Sequence, residues 1–172
     1  MRDMRVVAAI PAYNEEVAIG SVVLRAKQYV DEVVVVDDGS TDDTARVAEL
    51  AGATVIRHAQ RRGKGTALRT AFKYIDDSSV DIVVTLDGDG QHNPDEIPAL
   101  LEPVVKGEAD VVNGSRFLNG KSNVPPYRRV GQEVLTLTTR LGGVHVTDSQ
   151  SGYRAFSSRS LEHFRFGAKG FA

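Results

Sequence analysis

Ile82-Val83-Val84-Thr85-Leu86-Asp87-Gly88-Asp89-Gly90-Gln91-His92 is the stretch on which the reading of this chain turns. Its first five residues are apolar or β-branched, bounded by Asp81 before them and glycines after, and they predict a buried strand. Two carboxylates, Asp87 and Asp89, follow on backbone that Gly88 and Gly90 allow to bend tightly. Hard oxygen donors at that spacing suit Mg²⁺ or Mn²⁺, which bind through one or two carboxylates together with substrate phosphates. The stretch therefore predicts a metal–diphosphate site at the carboxyl end of a strand, where open α/β sheets bind ligands.

Outward from that strand, apolar strand patterns alternate with helical ones. Arg5 to Ile10, Glu32 to Val36, Ala53 to Arg57 and Asp110 to Gly114 read as strands, and Gly152 to Phe156 as a last short one. Val33 to Val36 form an unbroken apolar run, the mark of a strand buried on both faces. Helical spacing runs through Glu16 to Val30, Thr41 to Ala51 and Lys64 to Ile75. Ser40 or Thr41 is the expected cap of the second of these. Asn93-Pro94-Asp95-Glu96 opens a further helix, reaching about Lys106, with a cap, an early proline and acids in the first turn. Pro125 to Leu141 reads as helical, and 117–126 as a polar loop. This alternation means βαβ units and an α/β fold with a mostly parallel central sheet flanked by helices.

The chain has 172 residues, enough for one domain with a real core, and its composition is that of an ordinary globular protein. A net charge of −2 gives no support to a nucleic-acid partner. The absence of cysteine excludes a disulfide framework and a thiolate zinc site. Met1 to Arg5 leads straight into a strand without the apolar region of a signal peptide, and no apolar run has the length of a membrane span. Arg165 to Ala172 stops without the cap of a final element, so residues 1–172 read as a single domain cut from a longer polypeptide.

Several other constellations could carry chemistry. Pro11-Ala12-Tyr13-Asn14-Glu15-Glu16, after the first strand, offers an aromatic ring and carboxylates to a nucleoside; the plainer reading is a turn capped by Asn14. Asp37 and Asp38, after the second strand, could grip a ribose or a base edge, while Ser40 to Asp42 cap the next helix. Arg61-Arg62-Gly63-Lys64-Gly65 puts cations and flexible backbone at a helix N-terminus, an anion site. It is neither a phosphate-binding P-loop nor a dinucleotide fingerprint, because no serine or threonine follows Lys64 and no first strand precedes it. The Asp87 loop is not an EF-hand, since His92 and Pro98 stand where glycine and glutamate are needed.

Arg116 could reach a phosphate bidentately or be a plain surface arginine. Thr147-Asp148-Ser149-Gln150-Ser151-Gly152-Tyr153-Arg154 offers Asp148 as a general base and Arg154 as a phosphate or structural partner; an ordinary loop is the alternative. The four histidines are scattered, and only His92 adjoins the proposed site.

In this order the motifs resemble the family 2 glycosyltransferases of the GT-A fold, and within them the dolichol- or polyprenol-phosphate sugar synthases. The segments that carry the resemblance are 10–16, 35–42, 62–65, 87–92, 114–117 and 147–154, spread over nearly the whole chain. The resemblance implies a nucleotide-sugar pocket lined by Pro11, Ala12, Tyr13, Glu15 and Asp38, with Asp37 beside them and Lys64 and Gly88 at the diphosphate. Asp87 and Asp89, helped by Gln91, would hold Mg²⁺ or Mn²⁺ as the Asp-x-Asp motif of the fold. Arg116 and Arg154 would face the acceptor or the diphosphate, and Asp148 stands where the family places its acidic acceptor-side residue.

The implied reaction moves a hexose, with inversion, from a GDP- or UDP-linked sugar to a polyprenyl phosphate, in a cytoplasmic domain peripheral to the membrane that holds the lipid. A lipid phosphate is already anionic and needs no strong base, whereas a sugar hydroxyl would require Asp148 as the base. Three rivals remain: transfer to a hydroxyl in glycan assembly, a nucleotide-sugar-binding module without turnover, and a sugar-nucleotide pyrophosphorylase. The last lacks support, because Pro11 to Glu16 contains neither a glycine nor a basic residue.

Overall fold

Val33, Val34, Val35 and Val36 are all buried, as a strand covered on both faces requires. In the computed structural model, which describes residues 4–76, 80–114 and 152–161, they form the body of β2, Glu32–Asp37. Around it lie β1 (Val6–Ala12), β3 (Thr54–Arg57), β4 (Ile82–Thr85), β5 (Val111–Asn113) and β6 (Arg154–Ser157). They make one six-stranded sheet in the order β3-β2-β1-β4-β6-β5. The pairs β1–β2, β1–β4 and β2–β3 are parallel, and β6 runs antiparallel to both β4 and β5.

Alternation along the strands sends successive side chains to opposite faces. On one face, Ala8, Ile10, Val33, Val35 and Val84 pack with Ile19, Val22, Val23 and Ala26 of α1 (Ile19–Ala26) and Ala48 of α2 (Thr44–Leu50). The same cluster includes Ile97, Leu100 and Val104 of α4 (Ile97–Val105). On the other face, Val7, Ala9, Val34, Val36 and Val83 meet Ala67, Ala71 and Ile75 of α3 (Lys64–Asp76). Each fully buried valine or isoleucine contributes about 1.5–3 kcal/mol, so the two clusters, not helix propensity, hold the sandwich.

Three expectations are corrected. The helix expected over 16–30 is confined to Ile19–Ala26. The helix expected from Thr41 begins at Thr44, and neither Ser40 nor Thr41 caps it. Their polar groups are committed across the two loops instead. Ser40 Oγ accepts the Asn14 N–H (2.9 Å), and the Thr41 N–H donates to Asn14 Oδ1 (2.9 Å). Asp42 takes over the local turn by accepting the Thr44 N–H (3.0 Å). Asn14 is therefore not a helix cap either; it holds a left-handed backbone (φ 54°) and laces one loop to the other.

Asn93 does cap its helix, accepting the Asp95 N–H (3.2 Å). The first turn there, Pro94–Glu96, is a 3₁₀ turn that passes into α4. The expected helix over 125–141 and loop over 117–126 lie outside the described residues. Among the described residues no helix is long and apolar enough to cross a membrane.

Candidate active site

Because β1, β2 and β4 are mutually parallel, their carboxyl ends open onto one edge of the sheet. The loops that follow them converge there. Pro11, Ala12, Tyr13 and Glu15 come from β1 and its loop, Asp38 from the end of β2, and Asp87, Gly88 and Asp89 from the end of β4. With Arg61 and Lys64 from the approach to α3, they line a single pocket. Motifs separated by up to 78 residues in the chain are thus neighbours in space.

Asp38 is the most firmly held carboxylate of the pocket. Its side chain is 4% exposed, and its carboxylate accepts three hydrogen bonds. Oδ1 takes the His58 Nδ1–H (2.7 Å) and the Arg62 N–H (2.9 Å), and Oδ2 takes the Gly63 N–H (2.7 Å). Burial pushes the acidity of this carboxyl the wrong way, but the bonds from His58 and from the two backbone groups outweigh it and hold Asp38 below the usual carboxylate range. The loop can approach this closely because Gly39 has φ +76° and a Cβ there would lie 2.7 Å from the Arg61 backbone nitrogen. Arg61 then lies over the Tyr13 ring, 4.2 Å from its centroid, a cation–π contact at the pocket wall.

The part of the pocket beside the β4 loop is built from charge of both signs. Lys64, the first residue of α3, pairs with Asp87 Oδ1 at 2.5 Å. The positive end of the α3 dipole adds to the positive potential there. Asp89 Oδ1 accepts the Gln91 N–H (3.0 Å), which turns the loop back on itself. Behind it, buried His92 accepts the Asp87 N–H at Nδ1 (3.3 Å) and stacks on Tyr153, with centroids 5.0 Å apart. Burial raises the proton affinity of Glu15, and Asp89, Asp42 and Asp87 add to that shift.

This concentration of hard oxygen donors suits a divalent cation. Among the described residues no three His, Cys, Asp or Glu side chains converge on one point. Two carboxylates completed by diphosphate oxygens are nonetheless how Mg²⁺ is commonly held. Asp87 and Asp89 fit that role.

Other expected residues stand elsewhere. Asp37 is 1% exposed and turned from the pocket, with its carboxylate accepting the Ser40 N–H (3.0 Å) and Arg57 Nε–H (3.3 Å). It braces the loop and does not line the pocket. Gln91 is exposed and contributes its backbone, not its side chain, to the Asp89 turn. Arg154 lies on β6 opposite Thr85, outside the pocket lining. Arg116 and Asp148 lie outside the described residues. Sequence reasoning missed His58 and the placement of Arg61 over Tyr13. The available signal was position, since both follow β3, whose end lies at the same sheet edge as that of β2.

A mostly parallel sheet flanked by helices, with these loops at its carboxyl edge, is the GT-A glycosyltransferase architecture. Glucosyl-3-phosphoglycerate synthase of Mycobacterium tuberculosis, solved with Mn²⁺, UDP-glucose and phosphoglyceric acid, superposes with a TM-score of 0.70 at 32% identity, over 90% of this chain and 57% of that one. The family model described as glycosyl transferase family 2 matches residues 7–164, and the chain belongs to that family.

Two curated relatives carry lipid-phosphate names. UDP-N-acetylglucosamine–dolichyl-phosphate N-acetylglucosaminyltransferase of Methanococcus voltae is 38% identical over 94% of this chain and 73% of its own length. Undecaprenyl-phosphate mannosyltransferase of Micrococcus luteus is 35% identical over 92% of this chain and 68% of its own. The chain spans little more than half the length of the solved structure.

Proposed function

We propose that this protein transfers a hexose from a nucleoside diphosphate sugar to a polyprenyl phosphate, with inversion and with a divalent metal. The observation that carries this reading is the pocket itself. It brings together an aromatic ring and a buried carboxylate, groups suited to a nucleobase, and Asp87, Asp89 and Lys64, charges suited to a diphosphate and its metal. The lipid-phosphate names of the two curated relatives support the acceptor.

In this mechanism Tyr13, Arg61 and Asp38 bind the nucleoside, and the Asp38 network fixes its orientation. Mg²⁺ or Mn²⁺ held by Asp87 and Asp89 would neutralise the charge that develops on the leaving diphosphate. Lys64 stabilises the same charge electrostatically. An acceptor phosphate oxygen forms its bond to the anomeric carbon as the bond to the diphosphate breaks on the opposite face, which inverts the centre. The acceptor oxygen is already anionic, so no proton needs to be removed. Arg116 and Arg154 are assigned to holding it, and Asp148 to the acceptor side, by their motifs.

The test is calorimetric titration of nucleoside diphosphates and their sugars, with and without Mn²⁺, into wild type and Asp89→Ala, followed by an assay with a polyprenyl phosphate. Metal-dependent binding lost in the variant, and a glycolipid product, are expected. Binding that ignores both the metal and Asp89 would refute the assignment. Turnover with a sugar hydroxyl but not with the lipid phosphate would refute the acceptor.

A further inference from the structure

Asp38 has fewer acceptor positions left than a carboxylate normally offers. An ionised carboxyl has about four lone-pair sites, two on each oxygen. Here Oδ1 has both filled, by His58 Nδ1 at 2.7 Å and the Arg62 N–H at 2.9 Å. Oδ2 has one filled, by the Gly63 N–H at 2.7 Å. A single acceptor site remains, on a side chain with only 4% of its surface exposed to the pocket.

The occupancy of Oδ1 is enforced. His58 is clamped from behind, with Nε2 2.9 Å from Thr70 Oγ1 on α3. Its side chain is 6% exposed, so it has no other place to turn. An acceptor-only carboxylate requires the proton on the nitrogen that faces it, Nδ1.

Nucleobases differ at the edge that would meet such a group. Guanine presents two neighbouring donors, the ring N1–H and the exocyclic amine, and satisfies both only against a fork of two open oxygens. Uracil and thymine present one imide N–H flanked by two carbonyls. One open site on Oδ2 matches the imide, and the Arg61 guanidinium over Tyr13 supplies donors for a carbonyl. Guanine would leave one donor facing a filled oxygen, and an unmet buried donor is costly.

We propose that His58, locked between Asp38 and Thr70, is a specificity-positioning residue that closes Oδ1 and so makes this pocket select a uracil-type base over guanine. The inference rests on the reading of the pocket as a nucleoside diphosphate site and adds the base to it.

Calorimetric titration of UDP, dTDP and GDP with Mn²⁺ into wild type, His58→Asn and His58→Leu tests it. Wild type is expected to bind UDP and dTDP about tenfold or more tighter than GDP. His58→Asn keeps an amide donor for Oδ1 and is expected to retain the preference. His58→Leu opens Oδ1 and is expected to bring the ratio of UDP to GDP affinity toward unity. A purely structural role for His58 would instead weaken all nucleotides in proportion and leave the ratio unchanged, which would overturn the proposal.

GDP bound as tightly as UDP by wild type would overturn the base assignment while leaving the diphosphate site intact. Failure of wild type to bind any of the three would overturn the nucleotide reading of the pocket, and this inference with it. Should His58→Leu fail to fold by circular dichroism, the wild-type ratio and its retention or loss in His58→Asn still decide.

Discussion

Lys64 Nζ stands 2.5 Å from Asp87 Oδ1, joining the start of α3 to the loop after β4. Half of the lysine side chain is exposed, so as an ion pair it contributes less than about 1 kcal/mol to stability. Its value is local. In the proposed mechanism it keeps a cation beside the leaving diphosphate. Lys64→Gln should therefore leave the melting temperature almost unchanged while lowering kcat/KM for the nucleotide sugar about ten- to a hundredfold. Melting curves and steady-state kinetics on the same preparation check this. An unchanged kcat/KM would remove Lys64 from the site.

Gly152, two residues before β6, approaches the same pair. A Cβ there would lie 2.7 Å from Lys64 Nζ and 2.8 Å from Asp87 Oδ1. The lysine end can swing away cheaply, but the carboxylate is held by its loop. Thr85 Oγ1 donates to the Gly152 carbonyl at 2.8 Å, so the backbone cannot retreat freely either. Gly152→Ala should fold and melt within a few degrees of wild type, yet displace Asp87 and reduce turnover. A misplacement of about 1 Å at a catalytic group costs on the order of a hundredfold. Mn²⁺-dependent nucleotide affinity, measured beside the melt, separates the two effects; wild-type affinity would show that Asp87 had not moved.

How much of this was legible in the sequence depends on the range of the interactions involved. The buried strands were, because four valines in a row admit few other fates. So was the Asn93 cap, a bond to a residue two positions away. The convergence of the motifs followed from parallel topology, which puts every βα loop on one edge. The start of α2 was not legible, because Ser40 and Thr41 are claimed by Asn14, 26 and 27 residues earlier. Asp37 and Asp38 look alike in the sequence; one turns to Arg57 and the other to His58 only once β3 is in place. His58 showed no ligand spacing because its partners are Asp38, 20 residues earlier, and Thr70, 12 residues later.

Asp38 ties acid stability to the pocket. Burial alone would raise its affinity for a proton, but the bonds from His58, Arg62 and Gly63 prevail and depress it. A carboxyl held below its unfolded value contributes stability that is complete above that value and is lost as pH falls through the folded one. Wild type should therefore lose stability in the acid range below the ordinary aspartate value of about 3.9. Asp38→Asn should be less stable near neutral pH and should show a weaker acid dependence. Urea midpoints across pH measure both; parallel curves for the two proteins would count against the linkage.

Glu15 carries the opposite sign. Burial raises its proton affinity first, and the carboxylates of Asp89, Asp42 and Asp87 add to the effect. A carboxyl whose folded value lies above its unfolded one costs nothing in acid, while both states are protonated. The cost grows as pH rises through the unfolded value and is complete above the folded one. At neutral pH the ionised Glu15 therefore destabilises the fold that presents it, a burden typical of a site built to meet a cation. Glu15→Gln should melt higher than wild type near neutral pH, and the gain should vanish below the ordinary glutamate value of about 4.3. Mn²⁺ should raise the wild-type midpoint more than the variant's, since the ion relieves a repulsion that the amide has already removed. A Glu15→Gln protein that melts below wild type at neutral pH, or by the same margin at every pH, would place this side chain outside the carboxylate cluster.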